Sequence, residues 1–572
     1  MLKHRKYPLK KSVLYLLLAA VLGSLAFRDD LFTASKNLDI FASLYKELNI
    51  HYVDEVNSSR LIKTGIDAML RDLDPYTEFV PESEMENYKL KYVSTQYGGI
   101  GASIFRKDES IVIGEPYEGF PAQKADVRAG DEIIQINGHP VKGKTTEEVS
   151  NTLKGPKNTA VKLVLKRPGI KELLEKTIIR QEILQRNVSY HGMMKNGAGY
   201  IKLDKFLENS AQEVKDALVD IQQQNPKGLI LDLRYNGGGI LQEAVKIVNL
   251  FVEKDIVAVS QKARNQSREI SYKTVAAAIA PHLPLVVLIN ERSASASEIV
   301  AGALQDLDRA VIIGQRSFGK GLVQQTFNLP YNSLVKVTVA KYYTPSGRCI
   351  QALDYSHRNS DGTVDRLPDS LIAEYKTIGG RSVYDGNGIY PDIYIKPYQY
   401  HPITQTLLSR YYIFDYATIF RNNNAGINNP RQFKLSDVQY NQFVNYLSDK
   451  DYNYSTASER ILEDLKEEAE KENKLDEIEE EYQALKTKVF HAKNNDLKQY
   501  EGEIRRVLEN EIVSRYYFQK GRIDQGFQYD QEVTKALELI DNKAGMTAIL
   551  RGEGSYRSIG RPGEALTASA GE

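Results

Sequence analysis

The sequence contains one cysteine, Cys349, no tryptophan, and eight histidines among 572 residues. A single cysteine excludes an intramolecular disulfide, so each domain must be held together by its own core. The histidines are scattered, without a His-Glu-x-x-His motif or a Cys/His ligand spacing, and a zinc site therefore has little support. None stands in a serine motif, which weakens a Ser-His-Asp triad, although triad partners can come from distant parts of a chain. We expect no metal and no cofactor.

An excess of charge of either sign is also missing. The 75 basic residues balance 75 acidic residues, which leaves no general electrostatic reason to bind nucleic acid. Hydrophobic residues make up 42% of the chain and charged residues 26%, as in ordinary globular proteins. A chain of this length predicts several domains and at least one sizeable core.

The N-terminal segment carries a basic cluster, Lys3–Lys11, followed by an uncharged apolar run at residues 12–27. The run is short for a spanning helix, which needs about 20 residues, and a secretory signal fits better. Residues 1–27 are therefore either a cleaved signal peptide or a retained N-terminal anchor that tethers the chain to a membrane. Both interpretations predict an exported protein of the periplasm or cell envelope.

The pattern of apolar and polar residues changes several times along the chain, and these changes predict a multidomain α+β protein. Helical spacing of apolar residues is followed by short β-runs between glycine turns, then by alternating strands and helices, and finally by charged helices. The predicted regions are an N-terminal helical region (28–90), a β-rich domain (91–170), an α/β core (171–400), a C-terminal helical region (401–550) and a disordered tail (551–572).

Within the α/β core, three buried strands are predicted at 228–234, 284–290 and 310–314. The first is followed by a glycine loop, Asn236–Gly239, and a helix at 240–252. Strand–loop–helix–strand order favours a largely parallel sheet, in which the loops meet at the carboxyl edge.

A serine run, Ser293–Ser297, stands where the second strand gives way to a helix, and Lys320 follows on a glycine turn. The spacing Gly314-x4-Gly319-Lys320 nearly spells a phosphate-binding loop, but Gly321 replaces the required Ser/Thr, so a nucleotide site is disfavoured. Serine needs a base to become a nucleophile, and a desolvated lysine can act as that base. Taken singly, the serines also fit close packing at a helix cap, and the lysine also fits a surface position.

Taken together, the motifs resemble the C-terminal processing peptidases, also called tail-specific proteases. The resemblance covers about residues 40–400 and is carried by seven stretches: Leu231–Gly239, Ser293–Ile299, Gln305–Asp306, Gly314–Gln324, Tyr342–Arg348, Ile350–Gln351 and Gly388–Asp392. It implies a crotonase-like α/β serine protease core. It also implies Ser295, rather than Ser293 or Ser297, as nucleophile, Lys320 as general base and Gln324 as the residue that orients the lysine. The amides of Ala296 and Gly238 would form the oxyanion hole.

In that family a PDZ domain precedes or is inserted into the core, and the β-rich region resembles one. The stretch at 97–102 is similar to the loop that binds a terminal carboxylate, and Gly119–Ala125 and Ala129–Gly138 match the body of the domain. Consecutive amides would hold the carboxylate while the peptide adds a strand to the sheet edge. The residues implied in binding are Tyr97, Gly98, Gly99, Ile100 and Gly101.

The resemblance implies a serine endopeptidase that captures exposed C-termini of exported or envelope proteins and cleaves near them. Relatives often dimerise through terminal helices, which predicts a homo-oligomer. The alternative is a non-proteolytic PDZ-containing scaffold or binding protein of the envelope. The intact set of Ser295, Lys320 and Gln324 argues against that alternative.

Overall fold

A computed structural model describes residues 32–563, except 95, 265–268, 360, 490–492 and 555. The chain divides into two compact units. The smaller unit holds the described residues up to Glu82 together with Gln324–Thr338, and the larger unit holds Ser83–Val323 and the residues from Val339 onward. Within the described part, no helix combines the length and apolar character needed to cross a bilayer. The apolar run at 12–27 lies outside the described residues.

The smaller unit begins with helix α1 (residues 32–51) and helix α2 (Ser58–Arg71), which are followed by strand β1 (Glu78–Val80). Asn57 caps α2 by accepting a hydrogen bond from the Arg60 amide, as expected of a helix N-cap. Helix α2 is amphipathic but buries none of its residues in the chain. The two helices therefore leave a row of large apolar side chains exposed: Leu38, Ile40, Leu44, Leu48, Leu61 and Met69.

The β-rich region forms a five-stranded antiparallel sheet with a short extra strand and one packed helix. Its sheet order is β3-β4-β5-β7-β8, so β3 is an edge strand, while β2 pairs separately with β9. Helix α5 begins with a capping box between Thr145 and Glu148, and Val149 and Leu153 pack into the core of the domain. The elements are α3 (Met85–Tyr92), β2 (Gln96–Gly99), β3 (Ala102–Lys107), β4 (Ser110–Pro116), α4 (Pro121–Lys124), β5 (Glu132–Ile136), β6 (His139–Pro140), α5 (Thr146–Leu153), β7 (Ala160–Lys166), β8 (Leu174–Ile179) and β9 (Gln181–Leu184).

The α/β core is built on a six-stranded sheet of order β10-β11-β12-β15-β16-β21, parallel except for the β10–β11 pair. The central strands β12, β15 and β16 are buried along their whole length, because both faces of the parallel sheet are covered. Helices α6, α7 and α8 cover one face. The elements are β10 (Val188–Met193), β11 (Gly199–Leu203), α6 (Ser210–Gln222), β12 (Leu229–Asp232), α7 (Leu241–Asn249), β13 (Val257–Ala263), β14 (Glu269–Lys273), β15 (Leu285–Ile289), α8 (Ala296–Asp306), β16 (Val311–Gly314), β17 (Leu322–Leu329), β18 (Ser333–Tyr343), β19 (Glu374–Lys376), β20 (Ser382–Tyr384) and β21 (Ile393–Tyr394).

Strands β17 and β18 form a hairpin whose distal part belongs to the smaller unit, where β18 pairs with β1 so that Glu78 lies opposite Lys336. The last residues of β18 belong to the larger unit and pair antiparallel with β13, with Tyr342 opposite Gln261. The segment from Leu322 to Leu329 is extended, whereas a phosphate-binding loop would be followed by a helix.

The C-terminal helices do not form one separate body. Helices α9–α11, α14 and the first part of α15 share an apolar core of their own. Helices α16 and α17 instead cover the second face of the core sheet, where Val533, Ala536 and Ile540 pack on Ile230 and Leu288. The elements are α9 (Pro402–Ser409), α10 (Tyr412–Asn423), α11 (Asp437–Tyr446), α12 (Ala457–Lys471), α13 (Leu475–Val489), α14 (Lys493–Gln499), α15 (Glu501–Gly526), α16 (Gln531–Asp541) and α17 (Lys543–Arg551).

Helix α10 also packs against the β-rich domain. The Phe105 ring stacks on Tyr411 with centroids 5.0 Å apart, and the Lys107 ammonium lies 2.6 Å from a carboxylate oxygen of Asp415. Part of the predicted disordered tail packs as well, because the Tyr556 hydroxyl donates to Asp392 at 3.1 Å. The helical region thus contacts both the β-rich domain and the α/β core.

Candidate active site

Ser295 stands at the turn between β15 and α8, where it is the N-cap residue of the helix. Its backbone has φ +55° and ψ −112°, a conformation that residues other than glycine rarely adopt. Such strain costs about 1–3 kcal/mol and persists only where the surrounding structure enforces it. The turn places the serine at the carboxyl edge of the parallel sheet, where loops of α/β proteins form their sites.

The neighbouring serines are committed to structural hydrogen bonds. The buried Ser293 hydroxyl donates to the Leu233 carbonyl at 2.9 Å, and the buried Ser297 hydroxyl donates to the Asn236 carbonyl at 2.8 Å. Each hydroxyl has one proton, and each donates it to a carbonyl of the loop after β12. Ser295 is only partly buried, so of the three it is the serine best placed to meet a substrate.

A buried carboxylate, that of Glu298, joins the serine turn to the lysine loop. Its Oε2 accepts from the backbone amides of Ser295 at 2.7 Å and Lys320 at 2.9 Å. Its Oε1 accepts from the Ser317 hydroxyl at 2.6 Å and the Gly319 amide at 2.7 Å. Burial raises the pKa of Glu298 above its ordinary value, and the four donors oppose that rise. One side chain therefore fixes the backbones of both predicted catalytic residues.

The loop around Lys320 is shaped by glycine and by a second bridging group. Gly319 has φ +89°, and a Cβ atom there would lie 2.4 Å from the Cβ of Ala352, so only glycine fits. The Tyr342 hydroxyl lies 2.6 Å from the Lys320 carbonyl oxygen and 3.2 Å from that of Ser295. The two loops are thus tied together through backbone atoms on both sides.

Gly238 packs directly on the serine turn. A Cβ atom built on it would lie 2.8 Å from the Cβ of Ser295 and 2.9 Å from the Ala296 amide nitrogen. The structure therefore brings Gly238, Ser295 and Ala296 together. The Gly238 amide donates to Asn236 Oδ1 at 2.9 Å, so an oxyanion would compete with that oxygen for the proton. Ala296 is the first residue of α8, where amides lack partners inside the helix.

Gln324 lies on β17 in the smaller unit. Its side-chain amide donates to the Thr338 hydroxyl at 3.2 Å, across the β17–β18 hairpin of the same unit. Its predicted role in orienting Lys320 stays a prediction.

The predicted carboxylate-binding stretch is partly strand. Tyr97, Gly98 and Gly99 lie in β2, and Ile100 and Gly101 form the link to β3. A Cβ atom on Gly98 would lie 2.1 Å from the Gly155 carbonyl oxygen, and Gly101 has φ +74°, so both positions require glycine. Ile100 is buried in the domain core rather than exposed to a ligand.

Two further features of this domain bear on peptide binding. Burial, and to a smaller extent the nearby Tyr117, raises the pKa of Tyr97, so its hydroxyl stays neutral at physiological pH. Among the described residues, β3 pairs only with β4, and its other edge is open to an added strand.

Several residues of the site were not identified from sequence. Glu298 follows Ser295 at the spacing of a capping box, and that pattern could have identified it. Tyr342 lies in a stretch that carries the family resemblance, but no local pattern indicates that its hydroxyl lies between the Ser295 and Lys320 carbonyl oxygens. Arg234 makes ionic contacts to Asp232 and to the distant Asp530 and Glu532, and no local pattern predicts the distant ones. Among the described residues, no group of histidine, cysteine and acidic side chains is arranged to hold a metal ion.

Comparison with known families places three models on the chain. Residues 197–355 match the model of peptidase family S41, residues 112–167 match a PDZ domain, and residues 403–540 match a domain described as "Probable PDZ-protease, C-terminal helical domain". The PDZ match falls within the β-rich domain, and the S41 match contains Gly238, Ser295 and Lys320.

The chain is also similar to curated proteins. It is 35% identical over 322 residues to a carboxy-terminal-processing protease of Bartonella bacilliformis, which covers 56% of this chain and 73% of that protein. It is 36% identical over 319 residues to a probable CtpA-like serine protease of Staphylococcus aureus (strain MRSA252), covering 56% of this chain but only 63% of the relative. A solved photosystem II D1 C-terminal processing protease is 27% identical, with a TM-score of 0.34 and coverage of 62% of this chain and 92% of that one.

Proposed function

Because the chain belongs to the carboxy-terminal-processing protease family, we propose that it is a serine endopeptidase that uses Ser295 as nucleophile and Lys320 as general base. Its substrates would be exported or envelope proteins, cut near their C-terminal ends. The observation that carries this proposal is the Glu298 carboxylate, which accepts from the Ser295 and Lys320 amides through the same oxygen. The backbones of nucleophile and base are thereby held at a fixed separation.

The reaction begins when the neutral Lys320 amine takes the proton of the Ser295 hydroxyl as its oxygen attacks the scissile carbonyl carbon. At the reference lysine pKa, roughly one lysine in a thousand or fewer is neutral at pH 7, and this small neutral fraction is the reactive one in the proposal. The charge on the carbonyl oxygen is received by the Ala296 amide and by an amide of the glycine loop. A single donor of this kind contributes about 100- to 1000-fold to kcat.

The tetrahedral intermediate then collapses. The peptide C–N bond breaks, the Lys320 ammonium returns its proton to the leaving amine, and an ester to Ser295 remains. Water attacks that ester while Lys320 takes a proton from it. The second tetrahedral intermediate collapses, the bond between the acyl carbon and Ser295 Oγ breaks, and the Lys320 ammonium returns its proton to Ser295. The products are a new C-terminal carboxylic acid, which ionises in water, and free Ser295. In this proposal Gln324 orients the lysine, as the family motif implies.

The PDZ domain captures the C-terminus of the substrate. The open edge of β3 would accept the peptide as an added strand, and the backbone amides of residues 98–101 would receive the terminal carboxylate. We expect a peptide with an amidated C-terminus to bind more weakly than the same peptide with a free carboxylate. Equal affinities, measured by fluorescence anisotropy on the full chain, would contradict capture by the carboxylate.

Finer features of the architecture and location belong to the same proposal. The core would be crotonase-like, with a PDZ domain that precedes it or is inserted into it along the sequence. Residues 1–27 would export the chain, as a cleaved signal or as a membrane tether. The exposed apolar side chains of α1 and α2 support assembly into a homo-oligomer, because a surface patch of that kind marks an interaction site.

The test compares Lys320→Ala with Lys341→Ala, a matched variant at an exposed lysine of β18. Lys320→Ala should abolish cleavage of a disordered protein substrate, and Lys341→Ala should leave it unchanged. In the wild type the rate should rise through alkaline pH as Lys320 loses its proton. A rate that is flat from about pH 6 to pH 10 would rule out a lysine base. A non-proteolytic scaffold would instead bind C-termini in every variant and cleave in none.

A further inference from the structure

The guanidinium of Arg234 lies between two carboxylates from distant parts of the chain. On one side, Nε and Nη2 donate to Asp232 at 3.0 and 2.6 Å. On the other side, Nη1 and Nη2 donate to Asp530 at 2.9 and 2.7 Å. Arg234 is 11% exposed and the Asp232 side chain is fully buried, so these bidentate contacts are largely shielded from water.

Arg234 belongs to the loop that carries the predicted oxyanion site. It follows the end of β12 and precedes Asn236, and its own carbonyl accepts from the Lys202 ammonium at 2.9 Å. Asn236 in turn accepts from the Ala294 amide, and Gly238 packs on Ser295. A shift of Arg234 would therefore be transmitted along four residues to the surface that faces the nucleophile.

Asp530 comes from the C-terminal helical region. It is the N-cap residue of α16, where its Oδ1 also accepts from the Val533 amide at 2.9 Å. Helix α16 lies on the core sheet, so its N-terminus reaches the carboxyl edge and its C-terminus the amino edge. At the amino edge, Asp541 makes an ion pair with Lys227 at 3.1 Å. Ion pairs thus hold the helix at both ends of β12, and only the N-terminal end of the helix lies beside the Asn236–Gly239 loop.

A polar cavity of about 540 Å³ adjoins Arg234. Tyr235, Glu291 and Glu532 are among its lining residues. Glu532 approaches Arg234 only at 3.4 Å, and its other oxygen accepts from Gln315. Asp530 is therefore the main contact that keeps the guanidinium against Asp232 on the cavity side.

We propose that Asp530 is a positioning residue for peptide hydrolysis: it holds Arg234, and through it the Asn236–Gly239 loop, in register with Ser295. Asp530 touches no reacting atom and acts through the arginine. The inference rests on the proposed function, and it gives the C-terminal helical region a part in building the active site. A misplacement of about 1 Å in such a loop can cost on the order of 100-fold in rate.

The test replaces Asp530 in the full chain by asparagine. Asp530→Asn keeps an N-cap side chain of equal quality but removes the charge and one of the two acceptor oxygens. Asp541→Asn is the matched control, because it removes the same charge from the other end of the same helix. We expect Asp530→Asn to lower kcat by about 10- to 100-fold with little change in KM. Hydrogen exchange of residues 233–240 should become faster in Asp530→Asn alone.

An unchanged kcat in Asp530→Asn would overturn the inference, as would an equal loss in both variants, since that would indicate general loosening of α16. If Asp530→Asn does not fold, Asp530→Ser provides the same comparison, because serine also caps a helix and does not reach Arg234. Ser295→Ala separates the two claims. If it cleaves, the proposed function fails; if it is inactive while Asp530→Asn is fully active, only the positioning role fails.

Discussion

Replacement of Glu298 tests whether one buried carboxylate holds the active site together. Glutamine keeps the shape of the side chain but offers one carbonyl oxygen and one NH2 group in place of two acceptor oxygens. In the better orientation, the carbonyl oxygen faces the Ser295 and Lys320 amides. The NH2 group then faces the Ser317 hydroxyl, which can rotate to accept, and the Gly319 amide, which cannot.

This arrangement leaves one buried donor unpaired, at a cost of about 1–3 kcal/mol. The remaining hydrogen bonds also weaken, but the neutral side chain escapes the burial penalty that raises the pKa of Glu298, and the two effects oppose each other. Alanine instead removes every acceptor. The buried Gly319 amide loses its partner, at about 1–3 kcal/mol, and the partly buried amides of Ser295 and Lys320 lose theirs at a smaller cost each. We therefore expect Glu298→Gln to fold with reduced stability and Glu298→Ala to be less stable still.

The assay combines two measurements. Urea unfolding is monitored by the resistance of the core to trypsin, and activity is measured as cleavage of a disordered substrate. Glu298→Gln should lose activity beyond its loss of stability, because the NH2 group faces the Gly319 amide, another donor, and so displaces the loop that carries Lys320. Glu298→Asp serves as the control for charge, since it keeps the carboxylate and shortens its reach. A Glu298→Ala protein as stable and as active as the wild type would refute the reasoning.

Three further predictions follow from backbone strain and buried charge. Ser295→Gly should be more stable than Ser295→Ala by about 1 kcal/mol in thermal unfolding, because glycine relieves the strain at φ +55°; equal stability would contradict a strained turn. Arg234 and Lys202 outweigh burial and hold the pKa of Asp232 below its ordinary value, so its stabilisation is present at neutral pH and is lost as pH falls below about 4. The difference in free energy of unfolding between the wild type and Asp232→Asn should accordingly become smaller on acidification. A difference that stays constant would argue against a lowered pKa of Asp232. Arg348→Ala breaks a buried ion pair with Asp306 and should cost about 3–5 kcal/mol, measured by the urea midpoint; an unchanged midpoint would show that the pair is dispensable.

Local patterns were sufficient for much of the core. The predicted buried strands at 228–234, 284–290 and 310–314 correspond to β12, β15 and β16, which pair parallel to one another in one sheet. The serine run after the second strand and the glycine loop after the first were predicted to meet at the carboxyl edge. Gly238 does pack against Ser295 there.

Contacts between segments that are distant in the sequence could not be predicted from local patterns. Asp530 is 296 residues from Arg234, and its position depends on how α16 packs on the sheet. Helix α16 has an apolar stripe that predicts a covered face but does not indicate which surface covers it. The stretch at residues 97–99 was predicted as a loop and pairs instead as a strand with β9, because tertiary pairing decides the conformation of a short glycine-containing segment.

The most direct test of the central claim is the cleavage of a disordered protein with a free C-terminus by wild type and by Ser295→Ala at equal concentration. The wild type should cleave it, and Ser295→Ala should bind the same C-terminus with unchanged affinity and leave the chain intact. Cleavage by Ser295→Ala at the wild-type rate would contradict the assignment of the nucleophile and, with it, the proposed mechanism.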